Sequence, residues 1–495
     1  MSSRSSSLDI GAEGFRDLGH QLIDQIADFY ATLPERQVVN SKAGQNLRDI
    51  LGEKSIPEAG ESPQLLLNET ARLLFDNSVH NGHPRFMGYI TSSASPLGVL
   101  ADLLAAAVNV NVGIWQLSPV ATEIESQTVH WLAELIGYPR DCGGLMVSGG
   151  NVANLIAYFA ARKAKTPWDI RERGLLADER RLSVYATRET HTWIQKATDL
   201  SGLGTGAIRL IATDKQQRMQ ADALREQIEI DLDAGCLPFL VVGTAGTVST
   251  GAIDPLQEIS AICKHYDVWF HVDGAYGAPA ASLADSDADI RGLSDADSVA
   301  LDPHKWLYCP IEVGCTLVRE PQHLLDAFSF HPDYYAFDRD EENPQINYYE
   351  YGIQNTRGFR ALKVWLSLRQ IGRDGYKKMF SDDIALSKRI FDLAAAHPEL
   401  EARTNNLSLT TFRYVPEDLS ARDQAQQSYL NDLNKALLAR LQQQGEVFLS
   451  NAVVDGCDLL RACIVNFRTS ENDIDATIRA VSKLGRELDR ELRSN

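Results

Sequence analysis

The sequence predicts an α/β protein: a large domain on a mainly parallel sheet covered by helices, a smaller C-terminal α+β domain and an N-terminal helical segment. Three observations carry this expectation. From about residue 86 to about 376, short apolar runs alternate with helical stretches and Gly/Ser-rich turns, the pattern of strands joined by covering helices. Beyond 376, two strand-like and two helix-like stretches replace that alternation, and before 86 the apolar residues fall on one helical face. The expected divisions are 1–85, 86–376 and 377–495, since 495 residues exceed one ordinary core.

The elements follow in order. Residues 1–7 are polar and lack the apolar run of a signal peptide. From Phe15, apolar residues recur at Leu18, Leu22, Ile23, Ile26, Phe29 and Tyr30, a helical face that Pro34 ends. That face packs either on the chain's own core or on a partner. The most apolar stretch, 96–114, is broken by Asp102, Asn109 and Asn111, so it reads as a buried helix and turn and not as a membrane span. Strands are expected at 145–147, 182–186, 239–243, 268–272 and 299–301, and a helix at 152–163. In the last part, 407–414 and 462–467 look like strands, and 429–444 and 473–492 like helices. A 44% hydrophobic and 23% charged composition is ordinary for a soluble globular chain, and a formal charge of -19 opposes nonspecific nucleic-acid binding. Seven cysteines without a Cys-x-x-Cys pair offer neither a zinc site nor a disulfide framework, which places the chain in a reducing cytoplasm.

Two expected strand ends carry the chemistry. The run 268–272 delivers Asp273 in His271-Val272-Asp273-Gly274-Ala275-Tyr276, and 299–301 delivers Asp302-Pro303-His304-Lys305-Trp306, with Lys305 32 residues after Asp273. In open α/β sheets that strand edge is where ligands bind. Pyridoxal 5′-phosphate needs these two groups: a lysine that holds it as an imine, and a buried carboxylate that keeps its pyridine nitrogen protonated so the ring accepts the electrons of a breaking bond. Singly, such a lysine is a solvated surface charge and such an aspartate a turn residue. As a pair at this spacing they resemble the group II pyridoxal-phosphate-dependent amino-acid decarboxylases, the family of the aromatic-L-amino-acid and glutamate decarboxylases. The likeness is nearest to the aromatic branch and covers nearly the whole chain.

The resemblance implies fold type I, with a seven-stranded sheet in the large domain, and a homodimer with its active site at the subunit interface. It also implies roles. Ser148-Gly149-Gly150-Asn151 leads into a helix whose N-terminus would seat the cofactor phosphate, with Gly150 and Asn151 in contact. Relatives usually carry Ser or Thr at 151, where an amide donates the same hydrogen bond; by itself the segment is equally a strand-to-helix turn. His191 matches the histidine stacked on the pyridine face, and Ala275, Asp302 and His304 fall among the cofactor contacts. Many relatives place Asn at 302, and a carboxylate there repels the phosphate unless it is protonated or turned aside. Gly246-Thr247-Val248 resembles a Gly-Thr-Thr turn near the cofactor, leaving Thr247, which is equally a plain strand-end threonine.

The segment 328–354, with Tyr334, Tyr335, Tyr348, Tyr349 and Tyr351, corresponds to a family loop whose tyrosine closes over the site. Counting back from Arg357-Gly358-Phe359-Arg360 selects Tyr348 as the proton donor to Cα, with Tyr349 one residue away. The stretch from His83 resembles the family's substrate-pocket segment and contributes Tyr89 and Ser92, while Asn81 stands where animal aromatic decarboxylases carry tryptophan. Arg461 is a candidate substrate-carboxylate partner or a structural ion-pair residue.

The expected activity is therefore decarboxylation of an L-amino acid, aromatic by resemblance, to an amine and carbon dioxide, with Lys305, His191, Asp273 and Tyr348 as the catalytic set. Glutamate, aspartate or a diamino acid as substrate, an aldehyde-forming oxidative reaction, transamination and a catalytically silent homologue are the alternatives. Retention of Lys305, Asp273 and His191 opposes silence. No metal, membrane or nucleic-acid partner is expected.

Overall fold

The computed structural model describes residues 8–40, 47–52, 55–330, 345–420, 423 and 426–494. Seven strands make the first sheet: β1 Gly143–Val147, β2 Leu182–Thr187, β3 Ile208–Ile211, β4 Leu237–Thr244, β5 Trp269–Asp273, β6 Ser298–Leu301 and β7 Gly314–Val318. They lie in the order β1-β7-β6-β5-β4-β2-β3, and only β7 runs antiparallel to its neighbours. The mainly parallel seven-stranded sheet expected from the sequence is thus present. Its two unforeseen strands have weak signals. The edge strand β3 carries Arg209 at its middle, and β7 opens with Gly-Cys-Thr before Leu317 and Val318.

Helices cover both faces, so the central strands read as continuous apolar runs. Successive side chains of a strand point to opposite faces. On β5, Phe270 and Val272 enter one buried cluster with Val241, Ile259 and Val299, while Trp269 enters another with Ala153, Ile156 and Ala300. Burying each of the Val, Ile and Phe side chains among these contributes roughly 1.5–3 kcal/mol. The same alternation puts His271 and Asp273 on Trp269's face, toward the helix Gly150–Lys165.

The second sheet contains β8 Leu400–Asn406, β9 Leu409–Tyr414, β10 Ser450–Val454 and β11 Cys457–Cys463, antiparallel in the order β10-β11-β9-β8. The helices Gln427–Gln444 and Glu471–Ser494, both expected, bury leucines and isoleucines against it. The strand expected at 462–467 instead ends at Cys463. Beyond it, the Asn466 amide donates to the His83 carbonyl at 2.7 Å, tying the departing chain to the segment before residue 86. The start of the next segment also belongs with the C-terminal core: Met87 N–H donates to Phe448 O, Cys463 N–H donates to Met87 O, and the Met87 side chain is buried beside Phe412 and Ile464.

The helix Ala361–Ala396 runs from the first sheet to the second and is interrupted at Gly372, where φ is +70°. At the other end of the chain, the helix Gly11–Thr32 packs on Pro63–Asn77 through a Phe29–Phe75 stack, with centroids 4.6 Å apart. None of its residues is buried within the single chain. The helix Pro96–Val108 stops at Asn109, whose left-handed φ of 52° ends it.

Candidate active site

The C-terminal ends of the parallel strands open on one cavity of about 460 Å³. Ser148, Gly149, Gly150 and Asn151 enter it after β1, Glu189 and His191 after β2, Thr244 and Gly246 at the end of β4, Asp273 and Ala275 at the end of β5, and Asp302, His304 and Lys305 after β6. This is the edge at which an open α/β sheet offers its ligand crevice.

Lys305 sits in a turn braced from two sides. Its N–H closes on Asp302 O at 2.8 Å, and Ser92 Oγ donates to His304 O at 2.8 Å from behind. On the far side, Trp306 Nε1 and Tyr308 Oη donate to Asp383 Oδ2 at 2.8 and 2.5 Å, pinning the turn to the helix Ala361–Ala396. Burial pushes the Asp383 carboxyl up to about 7, against the pull of those two donors. Lys305 Nζ lies 3.1 Å from Asp302 Oδ2. The Asp302 carboxylate is packed tightly enough that a Cβ on Gly150 or Gly314 would stand 2.6 or 2.8 Å from its oxygens. Gly149 is required for a different reason, its φ of +100°. Asp302 is therefore turned toward the lysine, and its Oδ1 is buried without a hydrogen-bond partner among the described residues. His304 Nδ1 donates to Val313 O at 2.7 Å.

Asp273 is 5% exposed and accepts two hydrogen bonds, from Trp193 Nε1 at 2.8 Å and from the Ala275 N–H at 3.2 Å. Both donors are neutral, and the carboxylate is in no ion pair among the described residues. A buried charge without a counter-charge is costly, so the position calls for a cation. His191 Nδ1 accepts the Trp193 N–H at 3.3 Å, which leaves the proton of a neutral imidazole on Nε2. Desolvation lowers its pKa, with the Asp273 charge opposing. The helix Gly150–Lys165 presents its N-terminus to the cavity with no side chain capping it.

This donor set fits pyridoxal phosphate. An uncapped helix N-terminus suits the phosphate, a buried carboxylate lacking a cation suits the pyridinium, a lysine amine suits the aldehyde carbon, and an imidazole lies beside them.

The cavity does not gather every residue the sequence singles out. Thr247 is fully buried, its Oγ1 3.0 Å from Thr250 Oγ1 and accepting from the Ala252 N–H, so its hydroxyl serves the turn. Ser92 stands behind Lys305. Tyr89 has a φ of 53°, and its carbonyl accepts from Arg461 Nη1 at 3.1 Å. Arg461 is 2% exposed and in no ion pair among the described residues; its Nε and Nη2 are buried without partners there. Tyr348 is corrected by its packing. It is fully buried beside Leu145 and Val147, with the Arg357 guanidinium 4.7 Å from its ring centroid, and it does not line the cavity. Arg357 is held there by Glu125 at 2.5 Å and Met146 O at 2.7 Å. Tyr349 is buried too, and Tyr334 and Tyr335 lie outside the described residues. Conversely, Asn154, Glu189, Thr244 and Tyr276 line the cavity without having been singled out. Thr244 could have been found from its place at the end of an apolar run; its Oγ1 is buried and unpartnered among the described residues.

Comparison with known proteins agrees with this geometry. Residues 45–415 match the family described as "Pyridoxal-dependent decarboxylase conserved domain". An aromatic-L-amino-acid decarboxylase of Bacillus atrophaeus is 35% identical over 485 residues, 98% of each chain. A phenylacetaldehyde synthase of a Rosa hybrid cultivar is 30% identical, covering 93% of this chain and 92% of its own. Among solved structures, that of Oryza sativa TDC with PLP and tryptamine superposes with a TM-score of 0.90 at 26% identity, covering 98% of this chain and 100% of that one.

Proposed function

The chain belongs to the pyridoxal-dependent decarboxylase family and is a pyridoxal-phosphate-dependent amino-acid decarboxylase, and from that premise we propose that it converts an aromatic L-amino acid to the amine and carbon dioxide. The observation that carries the substrate class is the cavity wall. Among the described residues it contains no arginine that could hold a side-chain carboxylate, while Glu189 lines it, as does Glu312, already paired with Arg360 Nε at 2.8 Å. An acidic side chain would find no arginine there and would face Glu189, whereas a neutral one needs no counter-charge; a diamino acid is the competing substrate and belongs among those offered.

In this reading Lys305 Nζ would hold the cofactor's aldehyde carbon, Gly150 and Asn151 its phosphate, Asp273 its ring nitrogen and His191 its ring face. When bound, the cofactor accepts the electron pair released as the Cα–carboxylate bond breaks. The protein's own residues do the rest. Ile90, Val248 and Ile311 line the cavity with apolar surface, which favours conversion of a charged carboxylate to neutral carbon dioxide. The Asp302 carboxylate orients the Lys305 amine. Proton return to Cα falls to a group that reaches the cavity, and among the described residues Lys305 Nζ and His191 Nε2 do so where Tyr348 does not.

We further propose a homodimer. Helices at the N-terminal end expose Phe15, Leu66, Leu74, Leu100, Leu103 and Leu104, apolar side chains that a partner subunit would cover. All seven cysteines are unpaired, which supports a reducing cytoplasm. Among the described residues no helix is long and apolar enough to cross a membrane.

The test is to load the purified chain with pyridoxal phosphate, offer a panel of L-amino acids, and measure amine and carbon dioxide together. Stoichiometric amine and carbon dioxide from an aromatic substrate is the expected result; turnover of glutamate or aspartate in preference would overturn the substrate class. The likeness to a phenylacetaldehyde synthase supports a second reading, in which the product is an aldehyde, and product identity separates the two.

A further inference from the structure

Trp193 joins two of the groups assigned to the cofactor ring. It opens the helix Trp193–Leu200, is 2% exposed, and uses both of its N–H groups on the site. The backbone N–H donates to His191 Nδ1 at 3.3 Å and the indole N–H donates to Asp273 Oδ2 at 2.8 Å. One residue therefore meets both groups: its backbone N–H fixes the tautomer of the ring-face histidine, and its side chain the orientation of the carboxylate.

The surroundings keep that carboxylate free of competing charge. Trp193 meets His271 edge to face, with ring centroids 5.7 Å apart and planes at 89°. His271 stands two residues before Asp273 on β5, on the same face, and its hydrogen bonds are determined one after another. The Asn154 amide donates to Gly150 O at 2.8 Å, so Asn154 Oδ1 must accept from His271 Nε2 at 2.6 Å. Nδ1 then accepts from Ser298 Oγ at 2.8 Å, and that oxygen accepts from Trp269 Nε1 at 2.8 Å. Every lone pair of the imidazole is used with a single proton, and burial lowers its pKa to about 4. The neutral imidazole and the indole thus stand where a cation would otherwise claim Asp273.

We propose that Trp193 is a positioning residue, whose indole N–H aims the Asp273 carboxylate at the cofactor's ring nitrogen with a neutral hydrogen bond, while the contact of its backbone N–H with His191 is kept in every variant at 193. This rests on the reading that Asp273 faces that nitrogen, and the experiment separates the two. Dissociation constants are measured by absorbance titration for pyridoxal phosphate and for its 1-deaza analogue, in which CH replaces the ring nitrogen. The proteins are the wild type, Trp193→Phe, Asp273→Asn, and a form with β-(3-benzothienyl)alanine at 193, in which sulfur replaces the indole N–H at nearly constant shape. Both changes at 193 are expected to weaken pyridoxal phosphate about tenfold, the value of a hydrogen bond to a charged acceptor, and to leave the analogue within about twofold. Equal weakening of both ligands, or no weakening in the benzothienyl form, overturns the proposal; that form decides the matter should Trp193→Phe not fold. If Asp273→Asn distinguishes the two ligands and the changes at 193 do not, only the role of Trp193 falls. If Asp273→Asn fails to distinguish them, the placement of Asp273 falls with it.

Discussion

Replacing Asp273 by Asn probes the centre of the proposed site, and its effect has two separable parts. The first is steric chemistry within the protein. Both carboxylate oxygens accept from fixed N–H donors, Trp193 Nε1 and the Ala275 N–H, so an amide must turn its own NH2 toward one of them. One hydrogen bond is lost and two donors face each other, a cost of about 1–3 kcal/mol in stability, which removal of the unpaired buried charge partly offsets in the cofactor-free chain. The second part is electrostatic. A carboxylate and a pyridinium about 4 Å apart attract by about 4 kcal/mol at an effective dielectric of about 20, and the amide forfeits this. At about 1.4 kcal/mol per decade, the rate of carbon dioxide release at saturating cofactor should fall by about three orders of magnitude. Urea unfolding of the cofactor-free chain reads the first part, and single-turnover carbon dioxide release reads the second. A turnover rate within about tenfold of wild type, at saturating pyridoxal phosphate, would refute the assignment of Asp273 to the ring nitrogen.

Lys305→Ala should abolish turnover, and reduction with borohydride should leave no cofactor attached to the chain; residual turnover near wild type would remove the lysine from the reaction. Tyr348→Phe should leave the amine as product and change stability by less than about 1 kcal/mol, since the ring packs in the core on Arg357. Aldehyde appearing in that variant would show that the hydroxyl does reach the reacting carbon. Arg357→Met strands the buried Glu125 carboxylate and should cost about 3–5 kcal/mol by denaturant titration, with Glu125→Gln in the same chain recovering part of it. Acid should act through His271. Its pKa is about 4 folded against 6.5 for an unburied histidine, so the unfolded chain binds more protons between those values and stability falls as pH drops through that window, by up to about 3 kcal/mol. Denaturant titrations at about pH 7 and about pH 4.5 should show a smaller loss in His271→Gln, and an equal loss would mean that the imidazole is not held neutral.

Much of the fold was legible because the large sheet is buried on both faces. Strands such as β4 and β5 must then be apolar throughout, and their ends are marked by the polar residues that follow. Strands without that constraint escaped notice: β3 lies at an edge and tolerates Arg209, and β8 and β10, the two edges of the second sheet, carry polar or alternating residues. The site was legible to the same extent. Lys305, His304, Asp302, Asp273, Ala275, His191, Gly150 and Asn151 all follow strands in sequence, and all meet in the cavity.

Where sequence reasoning went astray, the reason is that distance along the chain does not say which way a side chain turns. Tyr348 falls where a loop tyrosine was counted, yet the Glu125–Arg357 pair draws that stretch into the core. Thr247 stands in a promising turn, yet its hydroxyl is spent on Thr250 and Ala252. Trp193, by contrast, carried no local signal at all, because its indole meets Asp273 from 80 residues away. The sequence by itself determined the class of fold and which lysine and carboxylate stand at strand ends facing one cavity, since these depend on apolar periodicity and on residue chemistry at strand ends. Only the tertiary structure decided what surrounds them: a carboxylate given neutral donors and no cation, a lysine turned to Asp302, and a tyrosine taken out of reach. Those outcomes depend on packing between segments far apart in the chain, where a hydrogen bond forms only if both partners arrive in the same orientation.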